Sequence, residues 1–321
     1  MSRSIPAVSA VPAVAPPCVV HDTSGEGLAP ELLDLIAQAT AHDGHAPFGE
    51  HVLLTLDGQR HVTHAKIESR LEDRLAGYLL LCEGLDRAWS ADVVTRPDCR
   101  NRGVGTGLLR AAAEHVAGHG GGQLRAWAYS SGAPDTIATR LGMQQCRAVS
   151  YQTRPLHDVP TVTAPTGTVL RCLQPEEVDA WLHLSNNAFL GHPENGNWTR
   201  EDLTWRLAAS WTDLRRFVVL ADARTDELLG GVWTKIEPQS TEGELYVVAI
   251  RPDKAGQGLG SILVNKTLAV LARAGQTTAS LYVDTANTAA NALYAKTGFT
   301  PQHTDRCFQL TVASGSTAIT V

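Results

Sequence analysis

Residues Ala249–Gly260, with the sequence AIRPDKAGQGLG, decide the fold because the same chain carries a second copy of them. Residues Val94–Gly105 read VTRPDCRNRGVG, which repeats the Arg-Pro-Asp and the Gly-x-Gly at an offset of 155 residues. Farther along the chain, Arg140–Met143 (RLGM) matches Lys296–Phe299 (KTGF) at an offset of 156, so one insertion separates the two registers. The sequence therefore predicts two copies of one domain.

Each copy has the same predicted order of helices and strands. In the first copy we predict a helix near 30–40, strands over 51–56, 74–81 and 88–95, a helix over 105–117 and a strand over 123–128. In the second we predict a helix near 175–188, strands over 216–220, 228–233 and 244–250, a helix over 260–274 and a strand over 279–283. Strands that alternate with helices indicate an α/β fold with parallel strands.

Composition excludes several classes of protein. The 321 residues are 43% hydrophobic, and no run of eighteen apolar residues occurs, so neither a disordered nor a membrane-spanning chain is expected. With 27 basic and 33 acidic residues the formal charge is −6, which disfavours a nucleic-acid partner. The six cysteines include no C-x-x-C pair, so we expect no zinc site, no disulfide framework and a cytoplasmic location.

Proline and glycine positions suggest the domain boundaries. Prolines at 6, 12, 16 and 17 would break a signal-peptide helix, so residues 1–20 are expected to form a flexible leader that packs on nothing. Pro160, Pro165 and Gly167 indicate an extended linker over 156–168. The predicted domains are residues 21–155 and 169–321.

The glycine-rich turn of the second copy is a candidate anion site. A strand that ends at Ile250 and a helix that opens near Gly260 would leave several backbone N–H groups directed into one concavity. The turn lacks the Gly-Lys-Ser/Thr ending of a Walker A loop. The residues alone leave a purely structural loop equally open, and the second copy of the turn favours a phosphate-bearing ligand.

Two motifs resemble one known superfamily. Arg100–Gly105 resembles the R/Q-x-x-G-x-G/A pyrophosphate loop of the GNAT N-acetyltransferases, and Leu281–Asn287 with Tyr294 and Gly298–Phe299 resembles their closing strand and helix. The resemblance spans residues from about 20 to 312. It implies two tandem domains, each a mixed, mostly antiparallel sheet with a parallel pair and flanking helices. It also implies acetyl-CoA as acetyl donor, direct transfer in a ternary complex, and no metal.

The same resemblance assigns residues to acetyl-CoA binding in both copies. In the second copy these are Val248, Ala249, Ile250, Ala255, Gly256, Gln257, Gly258, Leu259, Gly260, Ser261 and Asn287. In the first copy they are Val93, Val94, Arg100, Asn101, Arg102, Gly103, Val104 and Gly105. The second copy departs from the motif because Ala255 stands where Arg100 stands in the first, and Lys254 or Gln257 is a candidate for the missing donor.

The resemblance assigns catalysis to the second copy. It makes Glu244 the base for the ammonium of the acceptor and Tyr294 the acid for the departing thiolate, and the N–H near Val248 polarises the thioester carbonyl. The first copy has Trp89 and Ala138 at these two positions, so we expect it to be non-catalytic. By position alone, a glutamate that opens a strand is more often a solvated edge residue, and a tyrosine on an apolar helix face is more often core.

For the acceptor, the resemblance implies the cysteinyl amine of a cysteine–glucosamine–inositol pseudodisaccharide. It places Glu50, Glu194, Lys235, Glu244 and Tyr282 at substrate-binding positions. We expect a monomer whose partner is this small molecule. Two alternatives remain open at this point: an N-acetyltransferase for another small amine, and a non-catalytic protein that only senses acetyl-CoA.

Overall fold

The computed structural model describes residues 16–21, 28–57, 63–84, 87–129, 132–191 and 196–315. The helices and strands follow in chain order: β1 (Cys18–His21), α1 (Pro30–Asp43), α2 (Glu50–Leu56), β2 (His64–Leu71), β3 (Arg74–Glu83), β4 (Ala88–Thr95), α3 (Val104–Gly118), β5 (Gly122–Ala128), α4 (Ala133–Arg140), β6 (Gln144–Pro155), β7 (Thr168–Cys172), α5 (Val178–Ala188), α6 (Arg200–Ala208), β8 (Val218–Asp222), β9 (Leu228–Lys235), β10 (Glu242–Ile250), α7 (Leu259–Arg273), β11 (Thr278–Asp284), α8 (Thr288–Lys296) and β12 (Thr300–Val312). Short 3₁₀ turns precede α3, α5 and α7.

The chain packs as two units, and each unit is an α/β sheet of one design. In the first unit the strands are ordered β1-β2-β3-β4-β5-β12, and in the second β6-β11-β10-β9-β8-β7. The pairs β4–β5 and β10–β11 are parallel, and the neighbouring pairs β3–β4 and β9–β10 are antiparallel. This mixed, mostly antiparallel sheet with one parallel pair confirms the predicted fold class.

The units exchange their last strands. The first consists of residues 1–147 and 305–321, and the second of residues 148–304. Arg306–Val312 of β12 pair with β5, whereas Val149–Pro155 of β6 pair with β11. The linear boundaries of the sequence repeat thus differ from the packing units, because the two equivalent last strands each pair with a strand of the other copy.

Two local expectations differ from the structure. Residues 51–56 were expected to form a strand, but they lie in α2, where Val52 and Leu56, one helical turn apart, pack against Leu35 of α1. Residues 1–20 were expected to pack on nothing, but Cys18, Val19 and Val20 pair with β2. Only residues 1–15 of that expected leader lie outside the described residues.

The second unit buries a separate core on each face of its sheet. On one face, Leu245 of β10 and Leu281 of β11 pack with Leu263 and Leu268 of α7. On the other face, Trp233 of β9 and Val247 of β10 pack with residues of α5 and α6, among them Trp181 and Leu203. Below they are called the α7 face and the α5–α6 face. Strand β10 therefore contributes side chains to both cores.

One glycine in each unit lets the helix after the turn approach the sheet. A Cβ atom on Gly230 would lie 2.7 Å from Ile250 Cδ1, 2.9 Å from the Ala249 carbonyl oxygen and 3.1 Å from Leu263 Cδ1. Gly77 has the same surroundings in the first unit, with Val104 Cγ1 at 2.5 Å and the Val94 oxygen at 3.2 Å. Since a backbone oxygen forms part of the obstacle, a rotamer change cannot relieve the contact.

We expect Gly230→Ala to lower the free energy of unfolding by about 1–3 kcal/mol, because the added methyl group overpacks the contact between β9 and α7. Urea denaturation followed by circular dichroism measures the change. Gly118→Ala is the matched control, since a Cβ there has nothing within 4 Å and the residue closes helix α3. That control is expected to gain up to about 1 kcal/mol; equal losses in both variants would contradict the packing argument.

Candidate active site

The turn between β10 and α7 presents backbone N–H groups at the start of a long helix. Gly256 and Gly258 adopt left-handed conformations, with φ of +76° and +80°, and α7 begins directly afterwards at Leu259. Gly258 is the N-cap and no side chain caps the helix. A Cβ on either glycine would meet nothing within 4 Å, so the turn borders open space. This donor set fits the diphosphate of a nucleotide ligand such as CoA.

The first unit repeats the backbone conformation of this turn, but it adds an arginine that is paired with an acidic side chain. Asn101 and Gly103 have φ of +61° and +82°, which match Gly256 and Gly258, and α3 begins at Val104. Arg100 donates from both terminal nitrogens to Asp43 at the end of α1, at 2.7 and 2.6 Å. This guanidinium lowers the pKa of Asp43 to about 2. In the first unit the arginine of the motif thus anchors a helix.

The second unit has no arginine at this position, but the backbone conformation that presents the N–H groups of its turn is the same. Ala255 precedes Gly256 in an extended conformation, with φ of −62° and ψ of 152°. Arg100 has nearly the same backbone conformation, with φ of −68° and ψ of 159°. The side chain of Gln257, a candidate for the missing donor, bonds back to the carbonyl oxygen of Asp253 at 3.5 Å. The backbone N–H groups are therefore the principal donors of this turn.

The strands β10 and β11 pair over a short stretch. Their parallel register covers Glu242–Thr278, Gly243–Ala279 and Glu244–Ser280. On its other edge β10 pairs with β9 as far as Ile250, and Arg251 N–H still donates to the Leu229 oxygen at 2.9 Å. Because N–H directions alternate along a strand, the N–H of Val248 is directed away from β9, on the side of β11. Val248 thus presents a donor beyond the end of the parallel pairing.

Strand β10 contains a β-bulge just after its pairing with β11 ends. The register with β9 shifts between Leu245 and Val247, so Tyr246 is the extra residue. As a result, Tyr246 and Val247 both pack on the α5–α6 face. In the first unit, β4 pairs with β3 from Trp89 to Thr95 without a register shift. The bulge is therefore specific to the second copy.

Glu244 lies before the bulge, in a partly buried position that raises its pKa. Since Leu245 packs on the α7 face, Glu244 is directed to the α5–α6 face. Burial raises the pKa of Glu244 from 4.5 to about 7, and the nearby Glu242 and Glu237 add to the rise. Lys235, its Cα partner on β9, opposes the shift. The carboxyl group therefore titrates near neutral pH.

Lys235 is held in place by two contacts on this face. Its ammonium group lies 2.9 Å from a carboxylate oxygen of Glu237 and 5.4 Å from the centre of the Trp211 ring.

Tyr282 of β11, half exposed, lies beside Tyr151 of β6, with ring centres 5.0 Å apart. Three of the predicted substrate-binding residues, Lys235, Glu244 and Tyr282, therefore share one face of the sheet.

Tyr294 lies on the opposite face. It is the buried residue of α8 and belongs to the core that α7 forms with the sheet, where its ring meets Phe299 edge to face at 5.8 Å. Burial raises its pKa, so the phenol is protonated at neutral pH. The structure thus separates Glu244 and Tyr294 onto two faces of the sheet. The parallel pairing of β10 and β11 ends at Glu244 and Ser280, between these two faces.

Asn287, assigned to acetyl-CoA binding by resemblance, has a structural contact of its own. Its side-chain oxygen accepts a hydrogen bond at 3.0 Å from the N–H of Ala290 and caps α8. The other assigned residues of the second copy lie at the end of β10, in the turn and in the first turn of α7. Their counterparts in the first unit, Val93 and Val94 among them, lie in β4, in the turn and in α3.

The structure does not describe the side chains of two predicted substrate residues. Glu50 begins α2 in the first unit, and its side chain is outside what the structure describes. Glu194 falls outside the described residues altogether. Among the described residues, no group of three or more His, Cys, Asp or Glu side chains is arranged to hold a metal ion. No helix in the described ranges has the length and hydropathy needed to cross a membrane.

From the sequence, Tyr246 was not assigned to the aromatic wall beside Glu244. Tyr246 accepts a hydrogen bond at 3.1 Å from Nε of Arg206, whose guanidinium stacks on the Trp198 ring at 4.2 Å from its centre. The Trp211 and Trp233 rings lie 5.1 and 5.7 Å from the ring of Tyr246. A cluster of tryptophans before β8 was the available signal, but the bulge that directs Tyr246 to them has no sequence signature.

At the positions that correspond to Glu244 and Tyr294, the first unit has no titratable side chain. The offset of 155 aligns Trp89 with Glu244, but the bulge at Tyr246 adds one residue to β10, so Ser90, which pairs with Arg125 in the parallel register, stands where Glu244 pairs with Ser280. Both Trp89 and Ala138, the counterpart of Tyr294, are buried in the core of the first unit.

Comparison with known proteins assigns the chain to a family. The model of the Acetyltransferase (GNAT) family matches residues 25–141 and, a second time, residues 178–299. The chain belongs to the acetyltransferase (GNAT) family. It is an N-acetyltransferase with two GNAT regions, as the sequence predicted.

Within the GNAT family the chain is similar to proteins named mycothiol acetyltransferase. It is 39% identical to that of Thermomonospora curvata over 285 residues, which cover 87% of this chain and 92% of the relative. It is 36% identical to that of Mycobacterium sp. (strain MCS), with 86% and 93% covered. A GCN5-related N-acetyltransferase from Sphaerobacter thermophilus has the same fold, with a TM-score of 0.71, 19% identity, and 96% of this chain and all of that chain covered. A tandem GNAT protein from the clavulanic acid biosynthesis pathway gives 0.71 and 18%, with 94% and 100% covered.

The raised pKa of Glu244 predicts a pH-dependent cost to stability. The unfolded carboxyl ionises near 4.5 and the folded one near 7, so the free energy of unfolding falls as pH rises through this window. We expect Glu244→Gln to be more stable than the wild-type protein above pH 7, by up to about 3 kcal/mol, and to lose this advantage toward pH 4.5. Urea denaturation at several pH values measures the difference. Glu176→Gln, at an exposed position of the same unit, controls for loss of one negative charge; a gain independent of pH would contradict the burial argument.

The backbone conformation of the turn predicts that substitutions at Gly256 and at Gly258 have different effects. Gly258→Ala should raise KM for acetyl-CoA about tenfold, because a side chain at positive φ costs about 1–2 kcal/mol and changes the direction of the helix N-terminus. Gly256→Asn should have little effect, because the first unit carries Asn101 at this position with φ of +61°. Steady-state kinetics with varied acetyl-CoA measures both. Equal KM values in the two variants would count against the turn as the nucleotide site.

Proposed function

We propose that the second unit acetylates the cysteinyl amine of a cysteine–glucosamine–inositol pseudodisaccharide with acetyl-CoA, and thereby makes mycothiol. The observation that carries the proposal is Glu244, a partly buried carboxyl with a pKa near 7 beside the end of the β10–β11 pairing. The first unit has Ser90, which carries no carboxyl group, at the same register position. Support for the acceptor comes from the relatives named mycothiol acetyltransferase, which match nearly the whole chain.

Acetyl-CoA supplies the activated acetyl group as a thioester, and the chain's own donors would hold it. The N–H groups of the turn and of the first residues of α7 suit its diphosphate. The N–H of Val248, directed away from β9, would donate to the thioester carbonyl, where negative charge develops during attack. Since this donor belongs to a strand held by β9 up to Ile250, its direction is fixed before the reaction.

Glu244 is proposed as the general base. An amine acceptor arrives as an ammonium ion and must lose a proton before it can attack the thioester. A carboxyl group with a pKa near 7 is substantially ionised at neutral pH and still basic enough to accept that proton. Lys235 limits the rise of this pKa, and the nearby carboxylates of Glu242 and Glu237 favour a cationic acceptor on this face.

Tyr294 is proposed as the general acid. Burial keeps its phenol protonated, and within the described residues its hydroxyl has no hydrogen-bond partner, so the proton is available to a departing thiolate. Base and acid would then act from opposite faces, with the thioester in the opening between β10 and β11. This arrangement separates the proton taken from the acceptor from the proton given to the leaving group.

Direct transfer fits the distribution of cysteines. An acetyl-enzyme intermediate on sulfur would need a thiol at the end of the β10–β11 pairing. Cys172 is the cysteine of the second unit, and it lies on β7 at the edge of the sheet, separated from β10 by β8 and β9. Its thiol bonds to the carbonyl oxygen of Arg215 at 3.1 Å. The amine would therefore attack the thioester itself.

The proposal is tested by release of free CoA with a panel of amines. We expect turnover with the cysteinyl pseudodisaccharide and none with the same pseudodisaccharide lacking cysteine or with spermidine. Glu244→Gln should lower kcat by roughly 10²-fold or more, and Tyr294→Phe by a smaller factor. Lys235→Met should move the acidic limb of the kcat/KM profile to higher pH, because its positive charge lowers the pKa of Glu244.

The outcomes separate the parts of the proposal. Turnover with another amine and none with the cysteinyl compound would overturn the acceptor and leave acetyl transfer standing. Thermal stabilisation by acetyl-CoA without turnover on any amine would overturn catalysis. Glu176→Gln serves as the matched control for Glu244→Gln, and circular dichroism verifies that each variant is folded.

A further inference from the structure

Two cysteines of the first unit lie side by side on neighbouring strands. Cys146 lies in residues 144–147 of β6, which belong to the first unit, and Cys307 lies on β12. The two strands are adjacent in the sheet, although 161 residues separate the cysteines in the chain. The Cys146 thiol donates to the backbone oxygen of Cys307 at 3.4 Å. The Cys146 thiol is also close enough to the Cys307 thiol to influence its pKa. The proposed acetyl-transfer reaction uses neither residue.

The strand geometry suits a covalent link between them. Adjacent strands lie about 4.8 Å apart, and facing residues of an antiparallel pair have Cα atoms about 4.5–5.5 Å apart. Disulfides bridge Cα separations of about 4.4–6.8 Å. A bond between the two sulfur atoms therefore requires no large movement of the backbone.

The surroundings give the two thiols different roles. Cys146 is exposed, whereas Cys307 is 3% exposed. Arg125 and Arg147 lie near the pair, held by a 2.8 Å bond to Gln309 and by the Trp127 ring, and their positive charge acts to lower the pKa of Cys307. Burial, with the Cys146 thiol beside it, raises the pKa of Cys307 to about 12. An external reagent would thus meet Cys146 first, and Cys307 would react only with a partner already in contact.

We propose that Cys146 and Cys307 form a modification site that reacts with low-molecular-weight disulfides. The Cys146 thiolate attacks one sulfur of the external disulfide, its S–S bond breaks, and one small thiol leaves. Cys307, as its thiolate, then attacks the Cys146 sulfur of this mixed disulfide, and the second small thiol leaves. The two protein thiols are oxidised to one disulfide, the reagent is reduced to two thiols, and the two protons pass from the cysteines to the departing thiolates.

The product links β12, which pairs with β5 in the same unit, to β6. The site is thus predicted to fix the last strand of the chain covalently under oxidising conditions and to release it when a thiol is added. It is independent of the identity of the amine acceptor.

The test treats the reduced full-length protein with excess hydroxyethyl disulfide and maps its peptides by mass spectrometry. We expect a cross-linked peptide pair containing residues 146 and 307, which disappears on addition of dithiothreitol. Cys307→Ser and Cys307→Ala should instead retain a mercaptoethanol adduct on Cys146. In Cys146→Ser, Cys307 should remain a free thiol.

Cys172→Ser is the matched control, because it removes the partly exposed thiol of the second unit, and it should leave the cross-link unchanged. Two results would overturn the proposal: a stable mercaptoethanol adduct on Cys146 of the wild-type protein without a cross-link, or unmodified thiols at both positions. Two Cys307 variants guard against a folding defect in one of them, and circular dichroism checks each.

Discussion

After Glu244, β10 continues along β9 while its parallel pairing with β11 comes to an end. Backbone N–H groups must find partners when they are removed from water, so a strand that leaves one neighbour presents donors to whatever enters the space. Every feature of the candidate site is arranged around this point. Val248 directs its N–H there, the turn before α7 lies at the end of the same strand, and Glu244 and Tyr294 approach from opposite faces.

Comparison of the two units distinguishes the features of the shared fold from those found in the candidate site. Both keep the left-handed residues of the turn, the close-approach glycine and the parallel pair, because helix and sheet cannot pack without them. Only the second unit has the bulge at Tyr246 and the carboxyl of Glu244. In the first unit, Arg100 forms an ion pair with Asp43, and Trp89 fills the core. One backbone thus carries an ion pair and a packed tryptophan in one unit and a titratable carboxyl group in the other.

The site also shows how function opposes stability. A carboxyl group with a pKa of about 7 is one that the folded protein holds less favourably than water does. The surrounding contacts offset this cost: Arg206 stacks on Trp198 and bonds to Tyr246, and Lys235 lies near the Trp211 ring. These residues hold the bulge and the base in a fixed geometry, although neither feature is favourable by itself.

The sequence by itself determined the duplication, the α/β class, the glycine turn and the titratable residues of the second copy. Those features depend on local spacing and on backbone conformations that only certain residues adopt, as at Gly258. The short apolar segment 51–56 was misjudged because strand and helix bury such a run equally well, and only its packing against α1 decided for a helix. The exchange of β6 and β12, the bulge at Tyr246 and the placement of Glu244 and Tyr294 on opposite faces were decided by the tertiary structure alone. Strand pairing joins residues far apart in the chain, and neither its register nor the partner of a last strand is encoded in any local pattern.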